Sequence, residues 1–210
     1  PISNGIGMAA QHSQTLEAWF VHTPGLIVMM PSTPADAKGL LTSAIREPNP
    51  VVLLEKRLLY ARRGPVPEGE HVVPIGVAEI KRPGRDVTVV AAGMCVHQAL
   101  QAARTLAREG VEVEVIDPRT LKPLDIETIA GSVERTGRLV VVNEGARAGG
   151  FASEVVARVV ETSWGALRAE PQRVTSLDTP IPYAAGLERA VLPSVADVEE
   201  AIRRTLGSGS

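Results

Sequence analysis

Short apolar runs alternate with stretches in which apolar residues recur every three to four positions. Leu26-Ile27-Val28-Met29-Met30, bounded by Gly25 and Pro31, reads as a buried strand. Thr33-Pro34-Ala35-Asp36 then announces a helix, with Thr33 as N-cap, Pro34 at the first position and Asp36 three residues after the cap. Ala37, Leu40, Leu41, Ala44 and Ile45 follow at helical spacing, which predicts one buried face, and Pro48-Asn49-Pro50 ends the element. Val51-Val52-Leu53-Leu54 is the next buried strand, giving βαβ material and a parallel sheet. Ahead of it, Gln11-His12-Ser13-Gln14-Thr15 reads as a loop delivering His12 to the mouth of a helix. Ser13 can cap that helix, Leu16, Trp19 and Phe20 recur at i, i+3 and i+4, and Pro24-Gly25 stops the run.

From about Lys56 to Gly84 the pattern lapses. Pro65, Pro67, Gly69, Pro74, Gly76 and Pro83 make poor helix or central strand, so this is expected to be an interdomain connection, with one short strand pair over 72–75 and 77–80. Alternation then returns, with strands over 87–91, 113–116, 139–142 and 173–176. Between and after them lie helices with apolar residues at Val96, Ala99, Leu100, Ala103 and Ala107, at Ile126, Ile129, Ala130 and Val133, and at Ala152, Val155, Val156, Val159 and Val160. The last helix runs from Ser194, with Asp197 completing a capping pair. Strand–helix repetition at this spacing predicts an open, doubly wound α/β layer. The expected organisation is residues 1–56, a linker 57–84, a second domain 85–206 and a tail 207–210 of flexible linker composition.

Composition narrows the classes. The 210 residues are 44% hydrophobic and 22% charged, as in a soluble globular protein, and the net charge of −2 has both signs interspersed. That excludes a nucleic-acid footprint and a basic membrane-surface helix, and no apolar run approaches membrane-spanning length. The single cysteine, Cys95, rules out an internal disulfide and any multi-cysteine metal site.

The candidate chemistry centres on His12. An imidazole beside a helix N-terminus feels the positive pole, which favours the neutral ring and proton transfer near neutrality, although a lone histidine is more often a packing or capping residue. His22, just before Pro24-Gly25, reads as a ring that bonds the last helix carbonyls, and His71 and His97 have no constellation around them. Asn143-Glu144-Gly145-Ala146-Arg147-Ala148-Gly149-Gly150 is a glycine-bearing turn before a helix. It lacks a dinucleotide fingerprint or P-loop lysine, so a structural turn is favoured over a phosphate site. Arg119 reads as a buried-pair residue rather than a substrate clamp.

Several motifs together carry a resemblance. His12-Ser13-Gln14, Glu17-Ala18-Trp19-Phe20, His22-Thr23-Pro24-Gly25, Asp36-Ala37-Lys38-Gly39-Leu40-Leu41, Ala44-Ile45-Arg46, Ile116-Asp117-Pro118-Arg119-Thr120-Leu121, Thr136-Gly137-Arg138 and Asp178-Thr179-Pro180-Ile181-Pro182 occur in this order. They resemble the β subunit of the decarboxylating component of 2-oxo acid dehydrogenase complexes of the pyruvate, branched-chain and acetoin types. The resemblance implies the trailing part of a transketolase-type pyrimidine-binding domain followed by a transketolase C-terminal-like domain. It implies oxidative decarboxylation of a 2-oxo acid and acyl transfer to lipoamide, with His12 donating a proton to a dithiolane sulfur or stabilising its charge. It also implies thiamine diphosphate and magnesium, held mainly by an α subunit and by β residues upstream of Pro1, so this chain alone is expected to be inactive. A potassium ion on the backbone oxygens of Ala44, Ile45, Glu47 and Asn49 is implied as well. Ordinary C-capping is the alternative there, and Pro48 could redirect those carbonyls.

The implied partners are an α subunit in an α2β2 assembly and a dihydrolipoyl acyltransferase core with its peripheral-subunit-binding and lipoyl domains. Glu188, Glu199 and Glu200 are candidates for that docking, though solvated helix faces explain them equally well. Neither nucleic acid nor membrane is a partner, and the expected location is cytoplasmic in a bacterium or the mitochondrial matrix in a eukaryote. Pro1 lies already inside recognisable sequence, so a fragment or processed product is expected. The alternatives are a non-catalytic assembly or binding domain and the C-terminal part of a single-chain transketolase-like enzyme.

Overall fold

The computed structural model describes residues 1–207. Two short helices come first, α1 (Ala9–His12) and α2 (Glu17–His22). Then β1 (Ile27–Met29), α3 (Pro34–Arg46) and β2 (Val51–Leu53) form the expected βαβ unit, with β1 and β2 parallel and Ile27 opposite Val51. Helix α3 opens as its sequence predicts: the Thr33 hydroxyl accepts from the Asp36 N–H at 3.1 Å, with Pro34 behind it.

Its buried face is narrower than the periodicity suggests. Leu40 is fully buried, but Leu41 and Ile45 are 48% and 77% exposed. The residues expected to be a loose linker cover the adjoining side instead. The Val73 N–H donates to the Gly39 carbonyl at 3.2 Å, and the Ser43 hydroxyl donates to the Val73 carbonyl. A Cβ on Gly39 would meet Val73 Cγ2 at 2.4 Å, so only glycine lets the segment lie this close. The strand pair expected over 72–75 and 77–80 therefore does not form. Those residues are spent on α3, and the strand begins later.

That strand, β3 (Glu79–Arg82), is the antiparallel edge of a five-stranded sheet. The others are β4 (Val87–Ala91), β5 (Val113–Asp117), β7 (Leu139–Ala146) and β8 (Gln172–Ser176), in the order β3-β5-β4-β7-β8 and otherwise parallel. Alternate residues of β4 point to opposite faces. Val87, Val89 and Ala91 pack on α4 (Met94–Ala107) and α8 (Val195–Gly207). Val90 packs on α5 (Ile126–Thr136) and α6 (Phe151–Ser163). This is the doubly wound layer that the alternation predicts.

Three features exceed the prediction. After β5 the chain crosses over as β6 (Thr120–Lys122), which pairs antiparallel with β1, so the first sheet has the order β2-β1-β6. Val28, Met30 and Leu54 accordingly share one core with Ile116, Val141 and Phe151. Helix α7 (Ala185–Val191) was not anticipated. Gly207, expected in the tail, completes α8, and the rest of that tail (208–210) lies outside the described residues. No helix among the described residues is long and apolar enough to cross a membrane.

Candidate functional site around His12

His12 does not sit at the mouth of a helix. It is the last residue of the one-turn helix α1, and α2 begins only at Glu17. Ser13 is the C-cap of α1, its N–H donating to the Ala9 carbonyl at 3.0 Å, and its hydroxyl is buried without a partner rather than capping α2. A single turn carries no periodicity, so the sequence pattern had nothing to register. The turn is held by the Gln14 amide, which donates back to the Ala10 carbonyl at 2.9 Å. Ala9 enters it at φ 55, a left-handed conformation that costs a non-glycine residue about 1–2 kcal/mol. The His12 ring is exposed and makes no internal hydrogen bond. It lines a cavity of about 360 Å³ with Ser3, Met8, Gln11, Gln14 and Arg57.

The approach to this turn is fixed from the far end of the chain. Gly5 at φ +88 and Gly7 at φ +72 aim their N–H groups at the Glu188 carboxylate of α7, at 2.8 and 2.9 Å. Backbone N–H groups converging in such a loop make an anion nest, here filled by a side chain. Glu188 is 2% exposed. It is therefore an internal anchor and not the partner-docking residue proposed from sequence.

Beneath the turn lies a buried polar cluster. Lys56 Nζ and Glu144 Oε2 pair at 2.5 Å, and Lys56 also donates to the Asn4 Oδ1. Glu144 stands in β7, because Asn143 to Ala146 continue that strand and only 147–150 form the turn. Glu17, the first residue of α2, is 0% exposed and its side chain abuts β7. A Cβ on Gly145 would meet Glu17 Oε1 at 2.4 Å and Asn143 Oδ1 at 2.6 Å. Neither Glu17 carboxyl oxygen has a hydrogen-bond partner, and the same holds for Asn4 Nδ2 and Thr15 Oγ1. Burial pushes the Glu17 carboxyl up to about 7, against the opposing pull of its own backbone N–H, of nearby Asn143 and of Lys56.

The other predicted residues scatter. His22 ends α2 as expected, but the carbonyls there are taken by others. The Thr23 hydroxyl donates to the Trp19 carbonyl at 2.9 Å, and Lys122 Nζ donates to the carbonyls of Val21 and Thr23. Trp19 is 69% exposed, whereas Phe20 and Val21 pack on the core, so the apolar face lies one residue later than expected. Ala44 and Ile45 form the last turn of α3. Pro48 has no N–H to return to the Ala44 carbonyl, and the Asn49 N–H is bonded to Glu47 Oε1 at 3.1 Å, which leaves the Ile45 carbonyl open too. Arg119 is paired, with Glu79 at 3.2 Å and Asp36 at 3.6 Å. His71 and His97, isolated in sequence, line one cavity with Arg62, Lys81 and Arg119. Glu199 and Glu200 lie on α8 near Arg203 and Arg204, at 3.5 and 3.0 Å.

Sequence reasoning missed Glu17, Lys56, Glu144 and Glu188 as supports of the His12 turn. Each partners residues dozens of positions away, so no local signal marks them; only the Gly5-x-Gly7 spacing hinted at the nest.

Comparison with known proteins adds the following. The family model for the transketolase pyrimidine-binding domain matches residues 1–63, and that for the transketolase C-terminal domain matches residues 76–198. The chain is 47% identical over 208 residues to the acetoin:2,6-dichlorophenolindophenol oxidoreductase subunit beta of Cupriavidus necator, covering 99% of this chain and 62% of that protein. It is 46% identical over 197 residues to the pyruvate dehydrogenase E1 component subunit beta of Rhizobium meliloti, covering 93% of this chain and 43% of that one. A mitochondrial counterpart of Arabidopsis thaliana is 46% identical over 208 residues, covering 97% and 57%. The chain thus spans roughly half the length of these relatives. Among solved structures, a split-gene transketolase described as an inactive β4 tetramer superposes with a TM-score of 0.80 at 25% identity, covering 100% of this chain and 65% of that one.

Proposed function

The chain belongs to the family defined by the transketolase C-terminal domain, here preceded by transketolase pyrimidine-binding sequence, and from that premise we propose that it is the part of a 2-oxo acid dehydrogenase β subunit that carries the proton-transfer histidine. The observation behind this reading is an imidazole, His12, without an internal hydrogen bond, presented to a cavity of about 360 Å³ by a turn braced on both sides. In acyl transfer to a lipoyl arm the S–S bond opens, one sulfur takes the acyl group, and the other takes a proton from a ring nitrogen of His12. An imidazole, which can both hold and release a proton, suits that transfer. Arg57, in the same cavity, offers an unpaired guanidinium to an anionic substrate group.

The residues here do not by themselves make a holder for thiamine diphosphate. No carboxylate lines the His12 cavity, and among the described residues no cluster of three or more His, Cys, Asp or Glu could hold a metal. We assign the cofactor and its magnesium to an α-type partner together with β-subunit sequence that the relatives carry and this chain does not span. Docking on an acyltransferase core is assigned to Glu199 and Glu200 rather than Glu188. The open carbonyls of Ala44 and Ile45 fit a hard monovalent cation such as potassium, with Glu47 and Asn49 completing the loop. A mitochondrial location belongs to the eukaryotic relatives by name, and a cytoplasmic one is proposed for a bacterial source.

The test is His12→Ala in the complete β subunit assembled with its α partner. Acyl transfer to lipoamide should fall by about 10²–10⁴-fold while the assembly still forms. Unchanged turnover would sink the assignment and favour an assembly domain.

A further inference from the structure

Glu17 stands out among the buried groups that the proposed chemistry does not use. Its side chain is wholly buried at the start of α2, five residues after His12, with both oxygens unpartnered. The groups facing it are Lys56 after β2, Glu144 with Asn143 and Gly145 on β7, and Cys95 on α4. Lys56 already balances Glu144 at 2.5 Å and spends a further bond on Asn4. A charged Glu17 would set two carboxylates against one ammonium inside the protein, whereas a protonated Glu17 leaves the cluster neutral. The segment that joins it to His12 makes only local bonds, from the Ser13 N–H to the Ala9 carbonyl and from the Gln14 amide to the Ala10 carbonyl. Ser13 Oγ and Thr15 Oγ1 are buried without partners, and Ala9 is left-handed. The seat of that segment on the second sheet is therefore the Glu17 side chain against β7.

We propose that Glu17 is a positioning residue for His12, seating the segment 9–17 against β7 when it carries a proton and releasing it when the proton leaves. This rests on the reading of His12 given above. The raised titration of Glu17, to about 7, places the transition near neutrality. The proton goes to solvent, and the excess negative charge competes with Glu144 for Lys56.

The experiment uses the full-length β subunit assembled with its α partner, wild type and Glu17→Gln. Amide hydrogen exchange of the peptide spanning 9–17 is followed from about pH 6 to pH 9, corrected for intrinsic exchange, and protection should drop about tenfold in the wild type. In Glu17→Gln, which keeps the neutral shape, protection should stay flat. The alkaline fall in acyl-transfer rate should begin at lower pH in the wild type than in Glu17→Gln. Wild-type protection that is flat with pH overturns the proposal without reference to any variant, so misfolding of Glu17→Gln cannot shield it. An identical pH response in both proteins overturns it as well. If protection behaves as stated but His12→Ala leaves turnover unchanged, the positioning of the segment stands and the catalytic reading of His12 fails.

Discussion

Glu17 shows how far a single buried atom pair can tilt a protein. An unfolded glutamate titrates near 4.5 and this one at about 7, so between those values the folded chain holds a proton that the unfolded chain has lost. Stability from this group is complete below about pH 4.5 and declines as pH rises to about 7, by about 3 kcal/mol at 1.36 kcal/mol per unit. Asp117, fully buried and likewise pushed up to about 7 by burial, adds a loss of the same sign. Urea melts should therefore show a falling midpoint from about pH 5 to pH 8, with a distinctly smaller fall in Glu17→Gln; equal falls would refute the burial argument. Of these residues the sequence marked Glu17 only as one letter of a motif, because nothing local reports that a carboxylate will be shut against a strand 126 positions away.

At the level of elements, capping chemistry was readable and short turns were not. Thr33 caps α3, Asp125 caps α5 through the Thr128 N–H at 3.0 Å, and Ser194 and Asp197 exchange bonds at the start of α8. Each depends on residues within four positions, and the pattern marked those of α3 and α8, whereas the Ser13 cap read by the same rule does not form. The nest over Gly5 and Gly7 is the opposite case, since its anion comes from α7. Replacing Glu188 by Ala frees two N–H groups from charge-assisted bonds worth about 1.5–3 kcal/mol each. We expect the loop before His12 to loosen, with acyl transfer reduced several-fold and the melting temperature lowered, whereas Glu161→Ala on the exposed face of α6 should leave both unchanged. Full activity in Glu188→Ala would show that the loop needs no anchor.

Over the whole molecule, the two sheets are joined by more than a linker. Strand β6 pairs with β1, and the Lys56–Glu144 bridge spans the same junction with side chains 0% and 7% exposed. Breaking a buried pair strands its partner, so Lys56→Met should destabilise by about 3–5 kcal/mol. The double variant Lys56→Met/Glu144→Met should recover most of that loss, because no uncompensated charge remains. Additive losses in urea melts would mean that the residues pack independently of their charges.

Strand–helix order, the doubly wound layer and the capped starts of α3 and α8 followed from the chain alone, because period, cap and breaker are all written within a few residues of one another. His12 was singled out by its motif before any fold existed. Only the tertiary structure decided that His12 closes a one-turn helix, that Glu188 is an anchor, that the 72–75 segment lies on α3, and that Glu17, Lys56 and Glu144 meet beneath the turn. Those outcomes depend on contacts between residues far apart in sequence, and burial, which sets their energies, exists only once the two sheets have closed on each other.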